Sequence, residues 1–365
     1  MIGMKEHGMI TTATEHQTEK KDSSGIFGKF LKGLVGRKGK TDGSKLTSDG
    51  KKEWSGSATA GSKELSSGAV SSAMAGGMAT PGGKKEQSGS YSDGRWSRRT
   101  LKGHQGHKFK DVRGLAFHND KLLVCDSDNN IVHILNQDYT CEKELGSFSG
   151  QFAKPFKPWS IAVSQDNLYF ILDKSNVQIV VCDQNNKVIR IINLPADSDP
   201  WCIALVKGFV IVTEINGHRV LKYSLDGMYI GEFGRRGDGH TEFNIPYFVA
   251  VNSRDVIMVS DCYNHCIKCF DTQFNYLYKY GHRGTGNAQL FLPTSIAVDG
   301  ADNVYVCDLD NARISIWSED TTWLHNLFHP ELRQQWYMAV TADGDRIPVV
   351  SGWSRPCNEI AVFSK

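Results

Sequence analysis

The first 124 residues contain no cysteine, and nowhere does the chain hold an apolar run near the roughly 18 residues of a membrane span. The first absence excludes a cross-braced zinc module in that region, since such sites are built from cysteine and histidine ligands. The second excludes a spanning helix. No apolar stretch follows a basic start at the N-terminus, so a secretory leader is not expected. All nine cysteines lie from Cys125 onward at irregular spacings, most of them inside apolar runs. An odd number of thiols without a leader points to reduced cysteines acting as small core hydrophobes, and to a cytoplasmic setting.

Surplus positive charge is also missing where it would matter most for nucleic acid. Residues 1–96 carry 15 Lys+Arg against 10 Asp+Glu, and the remainder carries 27 against 30. The larger part is therefore weakly acidic. General phosphate affinity needs excess cations to displace counterions, so nucleic-acid binding there requires a local patch.

Residues 1–96 are short of apolar side chains and rich in Gly, Ser, Thr, Lys and Ala. Too little apolar area is available to offset the entropy of ordering, and a disordered extension is expected. Residues 25–40 stand apart. On a helix, Ile26, Phe27, Phe30, Leu31, Leu34 and Val35 share one face, with Lys29, Lys32 and Arg37 off it. Such a segment suits an anionic membrane or a partner's groove, although its five glycines weaken a free helix.

From residue 97 the chain repeats. Apolar runs recur as Arg113-Gly-Leu-Ala-Phe, Trp159-Ser-Ile-Ala-Val, Trp201-Cys-Ile-Ala-Leu, Tyr247-Phe-Val-Ala-Val, Thr294-Ser-Ile-Ala-Val and Trp336-Tyr-Met-Ala-Val. Their alanines, Ala116, Ala162, Ala204, Ala250, Ala297 and Ala339, are spaced 46, 42, 46, 47 and 42 residues apart. Each unit continues through further β-rich runs separated by turn residues, giving four short strands per unit. The expected fold is all-β, a six-bladed β-propeller over residues 97–365. The alanines are expected on the crowded axis. An acidic residue closes the second strand (Asp126, Asp173, Glu214, Asp261, Asp308), and an Asn follows three positions later in four units. Recurrence in nearly every blade points to a structural role in the second-to-third strand loop.

The pattern Pro-aromatic-x-Ile-Ala-Val, then Val-Tyr-Val-x-Asp-x-x-Asn-x-Arg-Ile, resembles the NHL repeat, best at residues 293–314. The nearest group is the TRIM-NHL class, a resemblance that implies recognition of RNA or protein. That class usually carries an N-terminal RING, B-boxes and a coiled coil. The missing cysteines before Cys125 argue against intrinsic ubiquitin transfer, leaving a substrate-recruiting adaptor as what the resemblance allows. The chain stops after a third strand, so residues 97–102 are expected to close blade six, removing an open strand edge.

Few residues suggest chemistry. Cys262-x3-Cys266-x2-Cys269 has metal-like spacing, but residues three apart on a strand face opposite ways, and no metal or other cofactor is expected. Peptidyl-amidating lyases resemble this pattern and place metal-binding histidines beside their inner strands. Here those positions read Gly114, Ser160, Cys202, Phe248, Ser295 and Tyr337, so neither an enzyme nor a small-molecule substrate is expected. His104, His107, His240 and His282 read as exposed loop residues. One mouth of the channel is the candidate binding face. Arg113, Trp159, Trp201, Tyr247 and Trp336 should ring it, with Tyr263, Arg235, Arg236, His282 and Arg283 on neighbouring loops. The aromatics either plug the mouth or offer stacking faces to a protein or to single-stranded RNA. The acidic balance favours protein.

Overall fold

The computed structural model describes residues 96–365 apart from 149, 331 and 352–356. Residues 25–40, the amphipathic segment, lie outside the described residues. Six four-stranded antiparallel sheets follow one another along the chain. The inner strands are Val112–His118, Pro158–Val163, Pro200–Val206, Pro246–Val251, Pro293–Val298 and Gln335–Met338. Each contacts the next, and the sixth contacts the first, so the ring closes. One 3-10 turn, Cys262–Asn264, is the sole helical element among the described residues, and no described helix is long and apolar enough to cross a membrane.

Ring closure uses the start of the domain. Ser97–Leu101 pairs antiparallel with Ile360–Ser364, in register from Ser97↔Ser364 to Leu101↔Ile360. Blade six is thereby completed by a strand far away in sequence, and its edge is covered. The seam is tied again by Val112 N donating to Cys357 O at 2.7 Å and by Lys102 Nζ on Glu359 at 2.8 Å.

The core lies between blades. Leu123, Val132, Ile134 and Leu145 of blade one meet Ile161, Tyr169, Ile171 and Val180 of blade two in one buried cluster. Similar clusters join blades two to three, four to five and five to six. The repeated alanines belong here and not on the axis, contrary to expectation. Ala116 packs on the first of these clusters and Ala162 on the next, because strand alternation turns them toward a neighbouring blade.

The acidic residues are the rivets of each blade. Asp126, Asp173, Glu214, Asp261 and Asp308 are all fully buried. Each accepts a backbone N–H from the loop entering its own inner strand: Asp111 at 2.9 Å, Lys157 at 3.0 Å, Asp199 at 2.9 Å, Asn244 at 2.7 Å and Phe291 at 2.6 Å. The Asn three positions on donates to the carboxylate and to a carbonyl of that same loop, as Asn264 does to Asp261 at 2.7 Å and Gly237 at 2.8 Å. Two loops are therefore held by one acid. Each buried carboxylate also takes one further partner that differs by blade: His133, Gln178, Arg219, Lys268 or Arg313. Charge-assisted bonds of this kind offset the cost of burying the charge.

Candidate functional site: the channel mouth and the loop rim

Trp159, Trp201, Tyr247 and Trp336 do converge on one mouth of the channel. Successive ring centroids lie 5.3, 5.1 and 5.4 Å apart in edge-to-face contacts. Trp201, Tyr247 and Trp336 are only 6%, 1% and 5% exposed. Arg113 covers Trp159 at 4.9 Å and is itself held by Asp111 at 2.8 Å. Lys174 lies over Trp159 and Trp201, tethered to Asp199 and to Pro200 O. Thr294 is wholly buried and bonds Gln335 O. The faces a base or peptide would need are taken by neighbouring rings and cations. These residues pack together as a plug, one of the two arrangements the sequence allowed, and little of Trp201, Tyr247 and Trp336 is left uncovered. Close packing has a cost here, since the indole Nε1 atoms of Trp159 and Trp201 are buried without an acceptor.

Beneath the plug lies an axial cavity of about 120 Å³ whose wall includes Gly114, Ser160, Cys202, Phe248, Ser295 and Tyr337. These are the positions where an axial histidine site would sit. None is a histidine. The three clustered cysteines are dispersed into packing: Cys262, Cys266 and Cys269 are free, buried thiols, and burial pushes all three up from their ordinary values.

Outside the plug, the rim is open. The loop between blades three and four and the loop between blades four and five share one frame. Phe243 N donates to Arg235 O at 2.8 Å and Gly237 N to Phe243 O at 3.0 Å. The second loop repeats this with Leu290 to His282 at 2.9 Å and Gly284 to Leu290 at 3.1 Å. The frame turns Arg235, Arg236, His282 and Arg283 outward, all exposed. Arg235 is engaged by Glu242 at 2.8 Å, whereas no described carboxylate pairs with Arg236 or Arg283. Arg283 sits 5.4 Å above the Phe291 ring. Tyr263 stands between these loops on the 3-10 turn, half-buried, and burial raises its hydroxyl to about 12.

The family model for the NHL repeat matches residues 243–270. That match spans the first three strands of blade four with the end of the loop before them. Comparison with curated proteins gives no match. Among solved structures, the chain is similar to a streptogramin B lyase at 15% identity, with 74% of this chain and 98% of that one covered and a TM-score of 0.54. It is similar at 14% identity and the same TM-score to virginiamycin B lyase from Staphylococcus aureus, alone and as a catalytically inactive form with quinupristin; 74% of this chain and 99% of those are covered. Such likeness shows the propeller fold.

Two features escaped the sequence. An open cleft of about 480 Å³ lies on the loop between blades one and two, walled by Phe148, Phe152, Lys154, Pro155 and Asn129. The spacing of Phe148, Phe152 and Phe156 was its only mark. His104 is buried at 8% exposure, not a solvent-facing loop residue, because it packs on His133 and Phe109. The visible signal was His133 itself, a lone histidine inside the apolar third strand Ile131–Leu135.

Proposed function

We propose that the propeller is a non-catalytic platform that captures a protein on its loop rim, over blades three to five, and that the partner presents carboxylates to Arg236 and Arg283. The observation carrying this reading is the repeated loop frame, which holds two arginines outward without an acidic partner among the described residues while the axial mouth is filled. RNA fits less well. Single-strand binding combines phosphate contacts with stacked bases, and three of the four rings that would stack are buried. Three other cations near the mouth are already paired: Lys157 with Asp128 at 2.7 Å, Lys174 with Asp199, Arg113 with Asp111. A patchy potential of this kind suits protein recognition, where charge steers and selects. The TRIM-NHL resemblance would make the captured protein a substrate brought to a separate ubiquitin ligase. Nine cysteines outside any disulfide, eight of them buried, suit a reducing compartment, and we propose a cytoplasmic setting.

The test is cross-linking of the tagged chain in nuclease-treated extract, followed by peptide mapping. Cross-links centred on residues 234–245 and 281–292, lost in Arg236→Glu/Arg283→Glu, support the reading. Loss of all captured material on nuclease treatment, or cross-links confined to the outer strands, overturns it.

A further inference from the structure

We propose that His104, His133, Glu144 and Cys141 form a binding site for a zinc-class divalent cation that locks the closing seam of the ring. The donor geometry comes first. His104 Nε2 and His133 Nδ1 lie 2.7 Å apart, His133 Nδ1 and Glu144 Oε1 3.1 Å, and His104 Nε2 and Glu144 Oε1 3.7 Å. Ligands about 2.0–2.2 Å from a tetrahedral zinc sit close to 3.3 Å from each other; the two edges to Glu144 are near this length, and the imidazole–imidazole edge has to open by about 0.6 Å. Cys141 Sγ completes four donors, all within 4.8 Å of one another. Two imidazoles, one carboxylate and one thiolate make a donor set that zinc accepts and magnesium or calcium does not.

Local structure explains how these four meet. His133 pairs with Glu144 across the third and fourth strands of blade one, while Leu135 pairs with Cys141. The register shift between Ile134 and Leu135 leaves Glu142 as an extra residue, which re-aims Cys141 toward the face of Glu144. His104 arrives on a two-stranded ribbon, Gly103–His104 paired with His107–Lys108. Gly103 has φ +148°, and a Cβ there would lie 1.8 Å from His107 O, so only glycine permits the ribbon.

Three further observations separate this cluster from ordinary packing. First, hydrogen bonds leave this triangle crowded. His133 Nδ1 faces both His104 Nε2 at 2.7 Å and Glu144 Oε1 at 3.1 Å, and when His133 Nε2 carries the hydrogen toward Asp126 Oδ2 at 3.4 Å, the Nδ1 lone pair meets the carboxylate with no hydrogen between them. A cation at that point satisfies all three. Second, His133 backed by buried Asp126 is the carboxylate–histidine arrangement that orients metal ligands, and Asp126 is anchored in turn by Lys110 N, Asp111 N and Asn129. Third, the cluster is confined to blade one. In blades two to five the position of His133 is Val180, Leu221, Lys268 and Ser315, from the same strand pairings. His104 itself takes the loop place that in two other blades holds outward Arg235 and His282. It is turned inward, and its Nδ1 has no hydrogen-bond partner. Repetition argues for a structural device of the blade; this quartet does not repeat.

The consequence is mechanical. His104 follows the closing strand Ser97–Leu101 by three residues, whereas His133, Cys141 and Glu144 belong to blade one. A metal held by all four ties the strand that completes blade six to its neighbour. Binding to the folded state alone stabilises it by mass action.

The experiment uses the full chain, stripped with a chelator, desalted and titrated with Co²⁺ and then Zn²⁺. The site predicts one equivalent bound, the intense visible bands of tetrahedral cobalt, a thiolate-to-cobalt band, displacement by Zn²⁺ and a higher Tm with metal. Glu144→Gln, at a half-exposed side chain, and His104→Gln should each weaken binding roughly a hundredfold by leaving the shell one donor short. Cys141→Ser should abolish the thiolate band. No binding by the wild-type chain, binding indifferent to Glu144→Gln and His104→Gln, or a thiolate band that persists in Cys141→Ser would overturn the assignment.

Discussion

Replacing Trp201 separates a plug from a platform. Trp201 is 6% exposed, packed edge-to-face between Trp159 and Tyr247, with Lys174 4.9 Å from its ring. Truncating a buried Trp to Ala costs about 3–5 kcal/mol in lost packing and cavity. The buried Nε1 of Trp201 has no acceptor, and removing such an orphan returns about 1–3 kcal/mol. Taking the middle of each range, Trp201→Ala should therefore destabilise by a net ~2 kcal/mol. Trp201→Phe keeps an aromatic ring in place and discards the orphan donor, so it should fall within about 1 kcal/mol of wild type. Equilibrium urea unfolding of the three chains measures both differences as shifts of the midpoint at constant slope. A Trp201→Ala midpoint equal to that of the wild type would show that the ring is not packed, and would restore it as a candidate stacking face.

Other consequences follow from particular contacts. A chain starting at residue 103 should melt well below one starting at 96, because the five-residue pairing with Ile360–Ser364 is lost; equal Tm values in calorimetry would contradict ring closure. His218 and His265 accept backbone N–H bonds at Nδ1 from Ile245 at 3.0 Å and Leu292 at 3.1 Å, and burial first, then Arg236 and Arg283 respectively, lowers both rings below the usual 6.5. The unfolded chain then binds the extra protons, so this stability is fully present above pH 6.5 and is lost as pH falls through the lower folded values. At about 0.5–1.5 kcal/mol per bond, a Tm loss of a few degrees between neutral pH and pH 5 should be smaller in His218→Ala/His265→Ala; an identical acid limb would refute the assignment. In the native, metal-stripped chain only Cys141, half-buried, should react with an alkylating reagent, since the other eight thiols are buried; rapid modification of Cys307 or Cys125 by mass spectrometry would contradict the packing.

The ring of blades was legible because each unit repeats its signals. The alanine spacing, the Asp-x-x-Asn motif and the glycine turn before the first full unit are all local. What those residues touch was less legible. The alanines looked axial because they are small, yet strand alternation sends them between blades, and the axis is walled by positions such as Gly114 and Ser160. Whether four aromatics stand open or close a mouth depends on the radius of the assembled ring, which no single repeat encodes. The segment Gly103-His-Gln-Gly reads like the outward loop Gly281-His-Arg-Gly. Only its partner, His133, 29 positions on and in a different strand, decides that His104 turns inward.

On this reading the rim, and not the plugged axis, recognises a protein. That recognition is tested most directly by titration calorimetry of a purified cross-linked partner segment against wild type, Arg236→Glu/Arg283→Glu and Trp201→Phe at low and physiological salt. The account predicts a loss of at least roughly tenfold in affinity for the charge-reversed rim, with shallow salt dependence in the wild type and unchanged binding for Trp201→Phe. Unchanged affinity in Arg236→Glu/Arg283→Glu together with a loss in Trp201→Phe would move recognition to the axis and contradict it.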